Sequence, residues 1–156
     1  MGIPSKLIEF LNQNKVRYEI LHHPEAFTAQ ELAAVEHVKG KQHAKVVMVK
    51  SDGAPVMTVL PADHRVDLDK FNKLTGKLAA LATEADFKGL FPDCAVGSMP
   101  PFGSLYGVAT YVDQSLAEND TIVFEAGTHS DAMKMRYGDF ARVANARVAD
   151  FATKTR

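Results

Sequence analysis

The sequence predicts an α+β protein that folds as a single domain over residues 1–156. Its 156 residues are 46% hydrophobic, which suffices for one core but is too little for two comfortable domains. Segments with helical periodicity alternate with segments of strand periodicity, and no repeat, linker or low-complexity tract separates them. We therefore expect helices and strands packed in layers around one core.

The first 40 residues predict two helices with a strand between them. Apolar residues on one helical face predict a helix over residues 5–14, and alternating apolar residues predict a strand over residues 16–20. His22-His23-Pro24 ends that strand. Thr28-Ala29-Gln30-Glu31 has the spacing of a capping box, so a second helix is expected to begin there and to end near Lys39-Gly40.

The next segment predicts a β-hairpin followed by a helix. Two β-rich runs, residues 43–51 and 54–60, are joined by Asp52-Gly53, the dipeptide that best tolerates the positive φ angles of a tight turn. Asp67 is a suitable N-cap for a helix that ends at Gly76.

The remainder of the chain predicts a short strand or coil, a helix, three strands and a last helix. In chain order these are residues 78–82, a helix that begins at Thr83-Glu84-Ala85-Asp86, strands over residues 105–112, 121–125 and 133–137, and a helix over residues 139–146.

Charge argues against bulk binding of nucleic acid. The formal net charge is −1, whereas neutralising phosphates needs a surplus of lysine and arginine, and no helix-turn-helix signature is present. DNA binding is therefore not expected, and any contact with RNA must be local. Two groups of cations would allow such contact, although solvated helix and strand faces carry similar charges: Lys39, Lys41, Lys45 and Lys50, and Lys134, Arg136, Arg142 and Arg147.

The compartment follows from three features of the sequence. Cys94 is the single cysteine, so no internal disulfide forms. No apolar run approaches the roughly 20 residues of a membrane span. The N-terminal residues lead directly into a predicted amphipathic helix, without an apolar signal region. We expect a cytoplasmic protein with no membrane partner.

The loop over residues 93–103, DCAVGSMPPFG, is the most informative stretch of the chain. Glycine allows the main chain to approach a ligand closely and proline removes alternative conformers, so the loop is suited to holding a carbonyl or phosphate oxygen on its amides. An ordinary tight connection would have the same composition. The candidate residues run from Gly97 through Ser98, Met99 and Pro100 to Pro101.

Metal chemistry and covalent catalysis are not expected. The six histidines have no ligand spacing such as H-E-x-x-H and no cysteine partner: His22, His23, His37, His43, His64 and His129. No serine lies in a G-x-S-x-G elbow, and nothing in the sequence pairs Cys94 with a base. We expect no metal and no cofactor.

Other polar residues have both a structural and a functional interpretation. Lys45 opens a Val-rich strand, so its ammonium points either to solvent or into a cleft. His129 lies in the turn after Gly127 and is either a surface histidine or a wall of a pocket. Asp63 and His64 close a strand and form either a polar turn or the rim of the same cleft.

Three segments taken in chain order resemble a known family. These are the Lys45 strand, the G-x-x-x-P loop from Gly97 to Pro101 followed by Phe102-Gly103, and the turn Ala126-Gly127-Thr128-His129. The chain resembles the YbaK/EbsC family, the free-standing relatives of the prolyl-tRNA synthetase insertion domain. The resemblance extends from about Ser5 to Val143.

This resemblance implies a fold and an activity. The fold would be a mixed, strongly curved, barrel-like sheet with helices packed around it. The activity would be hydrolysis of mischarged aminoacyl-tRNA by a trans-editing deacylase, assisted by the substrate's own terminal ribose hydroxyl. The amino acid would be small, and the tRNA is tRNA-Pro or another. A non-catalytic module that docks tRNA or a synthetase in the same cleft is the alternative.

The resemblance also implies site roles. Lys45 would bind the acceptor end of the aminoacyl-tRNA, as a cation for the terminal phosphate or as a donor near the ester. The loop bounded by Gly97 and Pro101 would hold the ester carbonyl. The remaining expected substrate contacts are Ser98, Met99, Pro100, Gly127, His129, Asp63 and His64.

Overall fold

Helices are interspersed among the strands in the part of the chain that the structure describes. The computed structural model describes residues 2–22 and 40–155. Its helices are α1 (Ser5–Gln13), α2 (Leu68–Thr75), α3 (Glu84–Phe87) and α4 (Tyr137–Val143). Its strands are β1 (Tyr18–His22), β2 (Ala44–Ser51), β3 (Ala54–Pro61), β4 (His64–Val66), β5 (Ala79–Leu81), β6 (Ala109–Asp113), β7 (Thr121–Glu125), β8 (Asp131–Arg136), β9 (Arg147–Ala149) and β10 (Ala152–Lys154).

The described strands form three sheets, and the mixed α+β class is confirmed. A five-stranded sheet has the order β5-β2-β3-β6-β9, antiparallel from β5 to β3 and parallel from β3 to β9. The antiparallel order β1-β8-β7 forms a second sheet, and β10 pairs with β4. Within residues 2–22 and 40–155 the sheets form no closed barrel, and the strong curvature stays a prediction.

The five-stranded sheet lies between two hydrophobic cores. Met48 of β2 packs in one cluster with Leu7 of α1, whereas the neighbouring Val49 packs in a second cluster with Phe71 of α2. Successive side chains of a strand point to opposite faces, so the two clusters cover the two faces of the sheet.

Several local predictions are confirmed. Asp52 and Gly53 both have positive φ angles, 48° and 85°, as a two-residue hairpin requires. The Asp67 side chain accepts from Lys70 N–H at 3.2 Å and begins α2, and Gly76 ends it with φ 73°. In the described ranges, no helix is both long and apolar enough to cross a bilayer.

Other predictions lie elsewhere or differ in detail. The helix expected to begin at Thr28-Ala29-Gln30-Glu31 and the strand end at His23-Pro24 lie outside the described residues. Gly103–Tyr106 is a 3-10 helix rather than the start of a strand, and β6 begins at Ala109, because Gly107 adopts a left-handed conformation with φ 70°.

A buried carboxylate anchors the C-terminal strands to the five-stranded sheet. Asp113, at the end of β6, accepts hydrogen bonds from the amides of Phe151 and Ala152 at 2.9 and 2.8 Å. It also accepts from the amide and hydroxyl of Ser115. Burial raises the pKa of Asp113, but these hydrogen bonds outweigh burial and hold the pKa below its ordinary value.

Asp113→Ala is therefore expected to lower the free energy of unfolding by about 2–4 kcal/mol, because it leaves buried donors without an acceptor. Because the pKa of Asp113 is depressed in the folded state, its charged carboxylate contributes stability. That stability is complete above the ordinary carboxyl pKa and is lost as pH falls through the folded-state pKa. Urea unfolding at pH 7 and at lower pH measures both effects. Asp150→Ala, which removes an exposed carboxylate, is the control. Equal losses in the two variants would contradict this account.

Candidate functional site

A cavity of about 160 Å³ lies where the start of β2, the Gly- and Pro-rich loop and the end of β7 meet. A parallel β-bridge between His43 and Val123 holds β2 beside β7 at this point. Three larger surface grooves, of about 450, 590 and 760 Å³, contain none of the predicted site residues. The residues lining the cavity are His43, Ala44, Lys45, Val46, Gly97, Met99 and Glu125.

The loop reaches the cavity through a tight turn. Ser98 N–H donates to the Ala95 carbonyl at 3.1 Å, and Gly97 in the third position of the turn has φ 86°. A positive φ at this position is that of a type II turn, which favours glycine. The Gly127 amide donates to the Ser98 carbonyl at 2.8 Å, and the Ala95 amide donates to the Gly127 carbonyl at the same distance. These bonds fix the loop against the turn after β7.

Two loop residues that line the cavity have an amide that is a candidate donor to a ligand. Pro100 and Pro101 have no N–H, and the Ser98 amide is already bonded within the turn. Among the described residues, the amides of Gly97 and Met99 donate no hydrogen bond, and both residues line the cavity. The predicted amide cradle is thereby reduced to these two donors.

The other loop residues lie away from the cavity wall. Ser98 is 1% exposed, and its hydroxyl donates to the Ala95 carbonyl at 2.8 Å. Pro100 and Pro101 are buried. Gly127 does not line the cavity either, and a Cβ there would collide with the ring of Pro4.

His129 contacts the turn that contains Gly97 and does not line the cavity. Its Nε2 is 2.8 Å from the Val96 carbonyl, an acceptor, so Nε2 carries the proton. Its Nδ1 lies 3.7 Å from Glu125 Oε2. Because C=O and N–H point in opposite directions across a trans peptide, this hydrogen bond fixes the direction of the Gly97 N–H.

Lys45 lies between the cavity and the turn after β3. Its Nζ donates to the Ala62 carbonyl at 3.4 Å. Burial lowers the pKa of Lys45, and the charge of Asp63 opposes this by raising it. Asp63 and His64 do not line the cavity, and they pair with each other through Oδ1 and Nδ1 at 2.7 Å.

Sequence reasoning missed two polar residues of the cavity wall, His43 and Glu125. His43 precedes Lys45 by two positions and is 1% exposed. Glu125 is the last residue of β7, immediately before the turn that carries His129. Their positions next to two predicted site segments were the available signal, but only the isolated bridge between His43 and Val123 brings them together.

Cys94 is unsuited to act as a nucleophile at neutral pH. Burial raises the pKa of its thiol to about 11, and its Sγ lies 3.4 Å from the Tyr106 hydroxyl. In the described part of the chain, no three histidine, cysteine or acidic side chains are grouped closely enough to hold a metal ion.

Comparison with known proteins gives one family and several similar structures. The family model of the aminoacyl-tRNA editing domain matches residues 23–143. No curated protein sequence matches the chain.

The similar solved structures share the fold. Hypothetical protein APE2540 has a TM-score of 0.86 at 22% identity, over 95% of this chain and 99% of its own. A candidate trans-editing enzyme for prolyl tRNA synthetase has a TM-score of 0.82 at 20% identity, over 96% of both chains. A candidate signal transduction protein from Marinobacter aquaeolei VT8 has a TM-score of 0.76 at 18% identity, over 98% of this chain and 31% of its own.

Proposed function

The chain belongs to the aminoacyl-tRNA editing domain family, and from this premise we propose that it hydrolyses the ester between a wrongly attached small amino acid and the 3′ end of a tRNA. The observation that carries the proposal is the meeting of Lys45 with the free amides of Gly97 and Met99 around one cavity. A cation can bind the terminal phosphate of a tRNA, and two backbone donors can bind the carbonyl oxygen of its aminoacyl ester.

The proposed reaction needs no nucleophilic side chain. The Gly97 and Met99 amides donate to the ester carbonyl oxygen and stabilise the negative charge that develops there. A water molecule attacks the carbonyl carbon, the ester C–O bond breaks, and the proton lost by water passes to the departing ribose oxygen. The neighbouring ribose hydroxyl of the substrate positions that water, and Lys45 holds the terminal phosphate or donates near the ester.

The size of the cavity sets an upper limit on the amino acid. A cavity of about 150 Å³ is large enough to hold benzene, so one of about 160 Å³ limits the amino-acid side chain to about six heavy atoms. Alanine, serine, threonine, cysteine and small non-protein amino acids fit this limit. A single methylene changes discrimination by about 1–3 kcal/mol, so the lining side chains tune selectivity among them without absolute exclusion.

The partners and conditions follow from the same proposal. The substrate is the acceptor end of an aminoacyl-tRNA, with tRNA-Pro as the first candidate, and a cognate synthetase is a candidate partner. The reaction uses no metal and takes place in the cytoplasm. The rate is therefore expected to be unchanged by EDTA.

Deacylation of a panel of mischarged tRNAs by the purified protein tests the proposal and names the substrate. We expect rapid release of small amino acids and slow release of those that exceed this limit, such as tyrosine or tryptophan. Binding of tRNA without release of any amino acid would favour the non-catalytic docking module instead.

His129→Ala is expected to lower the single-turnover rate about 10-fold, because the Val96–Gly97 peptide loses one hydrogen bond that fixes its orientation. His129→Gln, whose side-chain amide can also donate, should restore part of the rate. A pH–rate profile separates this role from general-base catalysis. If His129 were the base, wild-type activity would fall as the imidazole becomes protonated, and that fall would be absent in His129→Ala.

A further inference from the structure

The cavity has a charged residue on each of two strands, Lys45 on β2 and Glu125 on β7. The bridge between His43 and Val123 is parallel, so the two segments run in the same direction from it. Lys45 lies two residues beyond His43, and Glu125 lies two residues beyond Val123. Among the described residues no further bridge joins β2 to β7, so the strands diverge here. Lys45 and Glu125 therefore lie at the same level, on opposite sides of the cavity.

Glu125 supplies the negative charge of this cavity. It is the one acidic residue among the described lining residues, which also include Lys45 and His43. Its side chain is 16% exposed, and Oε2 lies 3.7 Å from His129 Nδ1. A carboxylate has about four lone-pair sites on its two oxygens, so contact with the imidazole leaves it able to accept from a ligand as well.

An aminoacyl ester brings a positive charge into the same cavity. Its α-nitrogen is separated from the ester carbonyl carbon by a single carbon atom. The amino group must therefore enter the cavity when the amides of Gly97 and Met99 hold the carbonyl oxygen. An α-amino group, with an ordinary pKa of about 8, is mostly protonated at neutral pH. The resulting ammonium is repelled by Lys45 and attracted by Glu125.

We propose that Glu125 binds the α-ammonium group of the substrate, so that the cavity selects amino acids whose amine is free. This inference rests on the proposed function and extends it to the substrate class. It also orients the substrate, with the tRNA phosphate or ester toward Lys45 and the amine toward Glu125. N-acylated and peptidyl esters carry no ammonium, and they lose this charge-assisted hydrogen bond.

The test compares alanyl-tRNA with lactyl-tRNA, in which a hydroxyl replaces the α-amine and the size is nearly unchanged. N-acetylalanyl-tRNA is a less direct probe, because the acetyl group also adds bulk. Each single-turnover rate is divided by the spontaneous rate of the same ester, because an α-ammonium group itself speeds ester hydrolysis. We expect the wild type to accelerate alanyl release about 10- to 100-fold more than lactyl release, the usual effect of one hydrogen bond to a charged group.

The variants separate recognition of the amine from a structural role. Glu125→Gln keeps the size of the side chain and should lower the acceleration of alanyl release to near that of lactyl release. Glu125→Asp should keep part of the preference for the alanyl ester. His129→Ala should slow both releases by the same factor, since it acts through the Val96–Gly97 peptide. Glu118→Gln, the same substitution at an exposed position, should match the wild type.

Two results would overturn the proposal. One is equal acceleration of alanyl and lactyl release by the wild type. The other is an equal loss for both esters in Glu125→Gln, which would indicate that the carboxylate acts through His129 rather than on the amine.

Binding of two ligands that cannot be hydrolysed tests the same contact without catalysis. These are 3′-amino-3′-deoxyadenosine acylated with alanine and the same nucleoside acylated with lactate. Calorimetry should show tighter binding of the alanyl ligand to the wild type, and the two affinities should converge in Glu125→Gln. Equal affinities in the wild type, or binding of neither ligand, would contradict the proposal. If the wild type releases no amino acid from any tRNA, the proposed function fails, while calorimetry still decides whether Glu125 binds the amine.

Discussion

Lys45→Ala is expected to lower the single-turnover deacylation rate roughly 100-fold, because the substrate loses a charge-assisted contact at its terminal phosphate or ester. The protein should stay folded. Burial lowers the pKa of Lys45, which means that the charged side chain destabilises the folded state. This destabilisation is complete below the folded-state pKa and disappears above the ordinary value of 10.5. Removing the ammonium therefore takes away no electrostatic stability at neutral pH.

Three variants make this prediction specific. Lys45→Met keeps the apolar stem and should be as inactive as Lys45→Ala, with a free energy of unfolding at least equal to that of the wild type. Lys45→Arg should not restore activity, since a guanidinium is planar and directs its donors differently. Lys50→Ala, on the same strand but with its Nζ 3.5 Å from Asp86, should be fully active. A folded Lys45→Ala protein with near-normal activity would remove Lys45 from the site.

Gly97→Ala is expected to reduce the rate by about 10²–10³-fold, the usual effect of losing one donor to a developing oxyanion. Space is not the obstacle, since an added Cβ would lie 3.7 Å from His129 Cε1. The obstacle is the φ angle of 86°, which a residue with a Cβ rarely adopts. The turn would have to change, and the Gly97 amide would change direction with it.

Ser98→Ala is the matched comparison for Gly97→Ala. The buried Ser98 hydroxyl bonds the Ala95 carbonyl, so its loss should cost about 1 kcal/mol of stability and leave the rate within a few-fold of wild type. Rates for both variants under single-turnover conditions, together with their melting temperatures, give the answer. Collapse of activity in Ser98→Ala with an active Gly97→Ala would indicate a reacting hydroxyl and exclude the amide cradle.

Local chemistry predicted much of the fold. Asp52-Gly53 correctly predicted the hairpin, and Asp67 correctly predicted the start of α2. Both succeeded because turns and caps depend on a few adjacent residues. The resemblance to an editing domain is confirmed by the family match over residues 23–143. Strands β4, β9 and β10 were missed, since three residues each are too few to show periodicity.

The site was predicted less completely, because its geometry depends on long-range contacts. Sequence identified the Gly97 loop but could not show that the Gly127 amide bonds the Ser98 carbonyl, or that His129 bonds the Val96 carbonyl. Glu125 lines the cavity only because β7 lies beside the start of β2. Such relations are set by contacts between distant segments rather than by neighbours in the chain.

The most direct measurement of the central claim is the rate at which the purified protein releases a small amino acid from its preferred mischarged tRNA. Single-turnover release is compared with spontaneous hydrolysis in the same buffer, for the wild type and for Lys45→Ala. We predict that the wild type exceeds the spontaneous rate by at least roughly 10³-fold and that Lys45→Ala loses most of this acceleration. Binding of tRNA with no release above the spontaneous rate, for every small amino acid tried, would contradict the account.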